Sequence, residues 1–86
     1  MSYLVTWSDE ASADVQRIYE KAADPEGVAL TVFRIGLQLS ESPGQAGESR
    51  DAGTRILFKY PLVIWFHLGE RFQDVLVFQV KPMRGI

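Results

Sequence analysis

The second half of the chain contains three strand-like runs with almost nothing between them. Each run is rich in Ile, Leu, Val, Phe and Trp, and the runs cover Thr54 to Tyr60, Leu62 to Leu68 and Gln73 to Lys81. The breaks are too short for helical crossovers, so the runs are predicted to pair as an antiparallel meander. A sheet this small cannot cover itself, and the first half of the chain must supply the elements that pack on one face.

Length and composition restrict the chain to a small folded protein. The 86 residues are the length of one domain, and we expect residues 1–86 to form it. A hydrophobic fraction of 47% and an aromatic fraction of 12% are typical of a globular chain. With no cysteine and one histidine, the sequence predicts no disulfide, no metal site and no cofactor. No apolar run approaches the length of a membrane span and the first residues do not resemble a signal peptide, so we expect a cytoplasmic protein without a membrane partner.

Charge is distributed unevenly along the chain. Residues 1–44 carry three basic and seven acidic side chains, whereas residues 45–86 carry six basic and four acidic ones. The strand-rich half is therefore mildly basic, which permits an anionic partner. Its net positive charge is far smaller than that of a typical nucleic-acid-binding surface. An ordinary solvated surface explains the same distribution.

The first half is predicted to form one strand and two helices. Tyr3 to Trp7 has the β-branched and aromatic residues of a strand. Ser8 and Asp9 offer N-cap oxygens to a first amphipathic helix that ends near Ala23. Asp24-Pro25 is a second start signal, a capping side chain followed by proline.

The segment Val28 to Leu39 fits both a strand and a helix, and its length favours a helix. As a helix it has two apolar stripes, one with Val28, Val32, Ile35 and Leu39 and a second with Leu30, Phe33 and Leu37. One sheet face cannot cover both stripes. Either the helix is central in the core, or a partner segment or a second copy of the chain covers one stripe.

These elements predict an α+β fold in the order β-α-α-β-β-β, a two-layer sandwich with a helix pair on one face of a small antiparallel sheet. The residues from Ser40 to Gly53 are expected to form a long connector. Ser42-Pro43-Gly44 marks the end of the second helix. The residues predicted to be buried are Phe33, Ile35, Ile64, Phe66 and Phe78.

Alternation along the strands predicts which residues share a face. The more apolar sets should face the helices; they are Ile56, Phe58 and Tyr60, then Leu62, Ile64, Phe66 and Leu68, then Leu76, Phe78 and Val80. The opposite face then collects Arg55, Lys59, Trp65, His67, Gln79 and Lys81. Such a face can bind phosphates and stack a base, or it is a solvated sheet face on which Lys and Arg stems cover Trp65. The sequence does not fix the cross-strand register, so both interpretations stay open.

His67 is a candidate general base, although a single histidine on a strand is more often structural. Asp74 lies opposite it in only one of two plausible registers. The glycine-rich residues Gly44 to Gly53 do not form a phosphate loop, because no Gly-Lys-Ser/Thr follows them and no strand precedes them.

Several short patterns occur together in a characteristic order. They are the opening strand ending near Trp7, Ala11-Ser12-Ala13-Asp14-Val15 with Ile18-Tyr19, a second helix closed by Leu39 and Pro43 to Gly47, Arg50, Arg55-Ile56-Leu57, Val63-Ile64-Trp65-Phe66, and Val75-Leu76-Val77-Phe78-Gln79-Val80. With them the chain resembles, over nearly its whole length, the RelE/ParE toxin family of bacterial type II toxin–antitoxin modules, also called plasmid stabilisation proteins. The fold of that family agrees with the one predicted above.

The resemblance implies a toxin that a cognate antitoxin holds inactive, in a heterodimer or larger complex. Antitoxin tails in this family tend to wrap helices and sheet edges, so the resemblance favours the antitoxin over a second copy of the chain as the partner that covers the second apolar stripe. Some family members cleave mRNA on the ribosome with basic and aromatic residues of the open sheet face, and others inhibit DNA gyrase without hydrolysis. Two departures argue against cleavage: Pro82 replaces the His of a C-terminal Val-x-His-x-Arg pattern, and Pro61-Leu62 replaces a Tyr-Arg pair. The acidic sequence pI of 5.2 is also unusual for a protein that enters a ribosome.

We therefore expect a toxin-like protein that acts by binding a macromolecular target. The alternatives are a ribosome-dependent mRNA endonuclease and a non-toxic relative that serves as an interaction domain. The target-binding candidates are Arg50, Arg55, Lys59, Trp65, Lys81 and Arg84. If the protein is a nuclease, it needs no metal, and its catalytic candidates are Arg55, Lys59, His67, Lys81 and Arg84.

Overall fold

In the computed structural model, which describes residues 2–83, two α-helices pack on one face of a five-stranded sheet. The elements are β1 (Leu4–Trp7), α1 (Asp9–Lys21), α2 (Pro25–Glu41), a 3-10 turn (Pro43–Gln45), β2 (Glu48–Asp51), β3 (Thr54–Lys59), β4 (Leu62–Gly69) and β5 (Asp74–Pro82). The strands lie in the order β1-β5-β4-β3-β2. The predicted α+β two-layer fold is confirmed.

The sheet differs from the prediction in two ways. β1 pairs in parallel with β5, so the sheet is mixed and only its β2 to β5 part is antiparallel. The predicted connector from Ser40 to Gly53 contains a short strand, β2, which pairs with β3. This strand was not predicted because Glu48–Asp51 contains only polar residues. It lies at the sheet edge, and it lacks the alternation of apolar residues by which buried strands are recognised.

The helix starts follow the predicted capping signals. The Ser8 hydroxyl accepts a hydrogen bond from the Ala11 N–H at 3.0 Å, and the Asp24 carboxylate accepts one from the Gly27 N–H at 3.1 Å. Pro25 occupies the first position of α2. The segment Val28 to Leu39 is helical, as its length indicated, and α1 ends at Lys21, slightly before the predicted Ala23.

The core lies between the helices and the sheet. Ile35, Ile64 and Phe66 are fully buried there, as predicted. The prediction for Phe33 is wrong, since this side chain is 63% exposed. The first stripe of α2 packs on the sheet, and the second stripe, which includes Phe33, points away from it.

The face prediction is correct for β4 and wrong for β3. Leu62, Ile64 and Phe66 of β4 are all buried in the core. Their partners on β3 are Lys59, Leu57 and Arg55, so this set faces the helices. Phe58 lies on the other face and is 53% exposed. The more apolar set of β3 is therefore on the side away from the helices, because pairing with β4 determines the orientation of the strand.

A β-bulge changes the alternation of β5. Trp65 pairs with Gln79 while the next residue, Phe66, pairs with Val77, so Phe78 is an extra residue without a partner. Val75 and Val77 face the core before the bulge and Val80 faces it afterwards. Leu76 and Phe78, which were predicted to be in the core, lie outside it.

Candidate functional site: the open face of the sheet

The sheet face opposite the helices is uncovered and mostly apolar. Residues that pair directly across neighbouring strands point to the same side, so the register defines this face. We call it the open face, and its members on β3, β4 and β5 are Ile56, Phe58, Val63, Trp65, His67, Leu76, Gln79 and Lys81.

Apolar side chains form the centre of the open face. Ile56 pairs with Trp65, and Phe58 pairs with Val63. Ile56 and Val63 are buried without belonging to the core cluster, which indicates that their neighbours on the open face cover them. Phe58 remains more than half exposed. A contiguous apolar surface of this kind on a folded chain is typical of a binding site.

Trp65 and Lys81 form the one cation–aromatic contact on this surface in residues 2–83. The Lys81 Nζ atom lies 6.0 Å from the centre of the Trp65 ring, and Gln79 pairs with Trp65 from the neighbouring strand. The structure thus brings together Trp65, Gln79 and Lys81, which the sequence placed on one face. The flat indole and the adjacent amide and ammonium groups give the apolar centre a polar border.

Arg55 and Lys59 are absent from the open face, contrary to the prediction. Both share the helix-facing side of β3 with Leu57. The Arg55 guanidinium donates hydrogen bonds to the carbonyl oxygens of Ala46 and Gly47, at 3.0 and 3.1 Å. Its role is therefore to hold the segment before β2 against β3. The reason for the error is the β3 orientation described above.

His67 lies at one end of the open face, between Thr54 of β3 and Leu76 of β5. Its ring lies against the turn between β2 and β3, where a Cβ atom on Gly53 would be 2.8 Å from Cε1. Asp74 pairs with Gly69 and not with His67. Among residues 2–83, no carboxylate lies within ion-pair distance of His67. The imidazole thus lacks the acidic partner that would orient a general base.

One of the other two basic candidates lies at the rim of the open face. Arg50 lies in the edge strand β2, where its guanidinium is 3.4 Å from a Glu48 carboxylate oxygen. Arg84 lies outside the described residues.

The rim of the open face carries more negative than positive charge. The register places the carboxylates of Glu48, Asp51 and Asp74 on this side, opposite Ile56, Thr54 and Leu4. Lys81 of β5 lies on this side, and the Arg50 guanidinium of β2 lies beside the Glu48 carboxylate, so these five side chains carry one net negative charge. A rim this close to neutral does not attract a polyanion.

Neither a metal cluster nor a membrane-spanning helix occurs in the described part of the chain. No group of three or more His, Asp or Glu side chains there is arranged to hold a metal ion. None of its helices is both long enough and apolar enough to cross a membrane.

Sequence reasoning missed Ile56, Phe58, Val63 and Leu76 as members of the candidate site. The apolar side chains of Ile56 and Phe58 suggested a core strand. The spacing of two residues showed that Ile56 and Phe58 share one side of β3. Which face of the sheet that side belongs to depends on the pairing with β4.

The architecture defines a class of protein: an α+β fold with a helix pair on one side of a sheet and an open face on the other. Two solved structures of toxin–antitoxin complexes contain chains with this fold. One is from the complex RelBE2 of Mycobacterium tuberculosis, which is 19% identical over 95% of this chain and 99% of that chain, with a TM-score of 0.79. The other is from the chromosomal ParDE system of P. aeruginosa, which is 19% identical over 96% of this chain and 98% of that chain, with a TM-score of 0.72.

No protein-family model matches the chain, and no curated protein matches it in sequence. The structural likeness shows a RelE/ParE-like fold, in agreement with the resemblance found in the sequence.

Proposed function

We propose that this protein is the toxin-like component of a bacterial type II toxin–antitoxin module and acts in the cytoplasm by binding a macromolecular target. A partner antitoxin neutralises it. The observation that carries the proposal is the apolar open face, on which Phe58 and Leu76 are exposed, in a fold shared with chains of two toxin–antitoxin complexes. An apolar sheet face of this kind binds an apolar surface of another protein.

The chemistry of the open face supports binding of a protein over cleavage of mRNA. Cleavage without a metal needs cations to stabilise the phosphorane-like charge and a group to move a proton. Arg55 is occupied by two backbone carbonyl groups, and Lys59 lies on the opposite side of the sheet. Lys81 is left as the cation beside Trp65, and the rim carries three carboxylates, one of which contacts Arg50. A protein target such as gyrase fits this surface better than ribosome-bound mRNA.

The decisive experiment is controlled expression in a bacterial host, with and without the product of the adjacent reading frame. We expect expression of the chain alone to stop growth and co-expression of the antitoxin to restore it. Phe58→Ser should abolish the arrest, because it places a hydroxyl in the apolar centre of the open face. Phe72→Ser is the matched control, because Phe72 is 77% exposed in the β4–β5 turn and lies outside the open face.

Mapping of mRNA ends in the same cultures separates the alternatives. We expect no codon-phased cleavage. Abundant cleavage that disappears in Lys81→Ala would show that the endonuclease hypothesis is correct. Unimpaired growth, together with binding of the adjacent gene product, would identify a non-toxic interaction domain.

A further inference from the structure

The helix α2 carries a second exposed apolar surface, on the opposite side of the molecule from the open face. Leu30, Phe33 and Leu37 lie on the side of α2 that points away from the core, and they are 47%, 63% and 49% exposed. We call these three residues the α2 stripe. They are spaced by three and four residues, so they form a continuous ridge along the helix.

We propose that the α2 stripe binds a second copy of this chain, with the two α2 helices antiparallel and a two-fold axis at Leu30. In such a pair, a residue that follows Leu30 in one copy lies opposite the residue of the other copy that precedes Leu30 by the same number of positions. The interface is isologous, so every contact occurs twice.

Charge complementarity selects this register. Glu26 precedes Leu30 by four positions and Arg34 follows it by four, so each Glu26 faces the Arg34 of the other copy. In residues 2–83, neither side chain forms a salt bridge within the chain. Both are exposed and lie on the same side of α2 as Leu30. The antiparallel arrangement therefore supplies two symmetry-related ion pairs on the borders of the apolar ridge.

A groove on the same side of α2 accepts the most exposed side chain of the stripe. The groove has a volume of about 470 Å³ and lies between the α1–α2 turn and the β3–β4 turn. Its lining includes Ala22, Ala23, Gly27, Leu30, Tyr60 and Pro61. Gly27, which lines the groove, precedes Leu30 by three positions, and Phe33 follows Leu30 by three positions. In the antiparallel pair, Phe33 of one copy therefore lies opposite Gly27 of the other copy and faces its groove. Cavities of roughly 150 Å³ hold benzene, and the groove has room for a phenyl ring.

The competing arrangements are less favourable. Parallel packing puts Glu26 beside Glu26 and Arg34 beside Arg34. Antiparallel packing centred on Phe33 and Arg34 puts Glu26 opposite Glu41. Packing centred on Leu37 and Gln38 pairs Arg34 with Glu41, but it carries Leu30 past the end of α2, which is at Glu41. The register at Leu30 pairs Glu26 with Arg34, keeps Leu30 and Phe33 opposite residues of α2, and places Leu37 opposite Ala23 in the α1–α2 turn.

Sedimentation of the full chain over a range of concentrations tests the association. One helix face is a small interface, so we expect a monomer–dimer equilibrium in roughly the micromolar range. Phe33→Ser should weaken it at least about 10-fold, because Phe33 is the side chain that enters the groove. Phe33 is 63% exposed in the monomer, so this variant still folds. Phe72→Ser makes the same change at an equally exposed position outside α2 and should have no effect.

A charge exchange tests the register. Glu26→Arg and Arg34→Glu should each weaken the dimer about 5- to 10-fold, since each puts like charges opposite one another. The double variant restores both pairs in reversed orientation and should recover most of the affinity. Recovery would not occur if α2 packed in another register.

The absence of cysteine allows a direct geometric test. Leu30→Cys lies on the two-fold axis and should form a disulfide-linked dimer under mild oxidation. Leu37→Cys should not link to itself but should link to Ala23→Cys in a mixture of the two variants. A chain that stays monomeric up to roughly millimolar concentration would overturn the proposal. Self-linking of Leu37→Cys, or a dimer that tolerates Phe33→Ser, would also overturn it.

Discussion

At the scale of single residues, two polar side chains hold backbone segments in place, and one of them, Arg55, was predicted to bind the target. Arg55 binds the carbonyl groups of Ala46 and Gly47 and thereby fixes the segment that leads into β2. Asp14 on α1 accepts a hydrogen bond at 3.1 Å from the backbone N–H of Val80, close to the bulge in β5. The Asp14 contact joins elements that are 66 residues apart in sequence, and the residue types alone reveal neither contact.

The Asp14 contact gives a first prediction. Asp14→Ala removes the acceptor of a partly buried N–H group, so we expect a loss of about 1–3 kcal/mol in the free energy of unfolding. Asp14→Asn keeps a side-chain oxygen in place and should lose less. Arg17→Ala is the control, because it removes only the exposed ion pair of Arg17 with Asp14 and should cost no more than about 1 kcal/mol. Urea denaturation of the three variants checks the order, and equal losses for Asp14→Ala and Arg17→Ala would contradict it.

Two glycines should respond in opposite directions to the same substitution. Gly36 lies in α2, where a Cβ atom would meet nothing within 4 Å, so Gly36→Ala should stabilise the fold by about 0.5–1 kcal/mol through helix propensity. Gly47 has a φ of 66°, and a Cβ there would lie 2.8 Å from the Ile56 carbonyl carbon. Gly47→Ala should therefore destabilise by about 1–3 kcal/mol. Thermal unfolding distinguishes the two, and a shift of the same sign in both variants would refute this interpretation of the backbone.

At the scale of secondary structure, signals that are local in sequence predicted the elements well. Ser8 and Asp24 marked the two helix starts, and alternation located β3, β4 and β5. The sides of the sheet could not be derived in this way. The extra residue at Phe78 reverses the alternation of β5, and it is visible only in the pairing of β5 with β4. The cationic face predicted from Arg55 and Lys59 was wrong for the same kind of reason.

The bulge leads to a prediction for Phe66 and Phe78, both of which were predicted from the sequence to be buried. Phe66 is fully buried in the core, and Phe66→Ala should lower the free energy of unfolding by about 3–5 kcal/mol. Phe78 is half-buried and does not pack in the core, so Phe78→Ala should cost less than about half of that. Denaturant titration measures both values. Similar losses would mean that β5 continues without a bulge and that the strict alternation of the sequence is correct.

At the scale of the whole molecule, the two-layer fold separates two apolar surfaces. The α2 stripe points away from the sheet, and the open face lies on the other side of that sheet. Trp65 lies on the open face, whereas Trp7, the second tryptophan, packs against the core from β1. Self-association through α2 and target binding through the sheet therefore do not compete for the same residues.

This separation predicts that the two interactions can be removed one at a time. Phe33→Ser should weaken dimerisation at least about 10-fold and leave growth arrest intact, whereas Phe58→Ser should abolish arrest and leave the dimer intact. In a Trp7→Phe background, Trp65 is the one remaining indole, and its fluorescence should shift to shorter wavelength when a partner covers the open face. The same emission should stay constant as the monomer–dimer equilibrium shifts with concentration, because the α2 stripe is remote from Trp65. If the Trp65 emission instead shifts over the same concentration range as the monomer–dimer equilibrium, the second copy covers the open face. The open face would then be the dimer interface, and the α2 stripe would be left for the target.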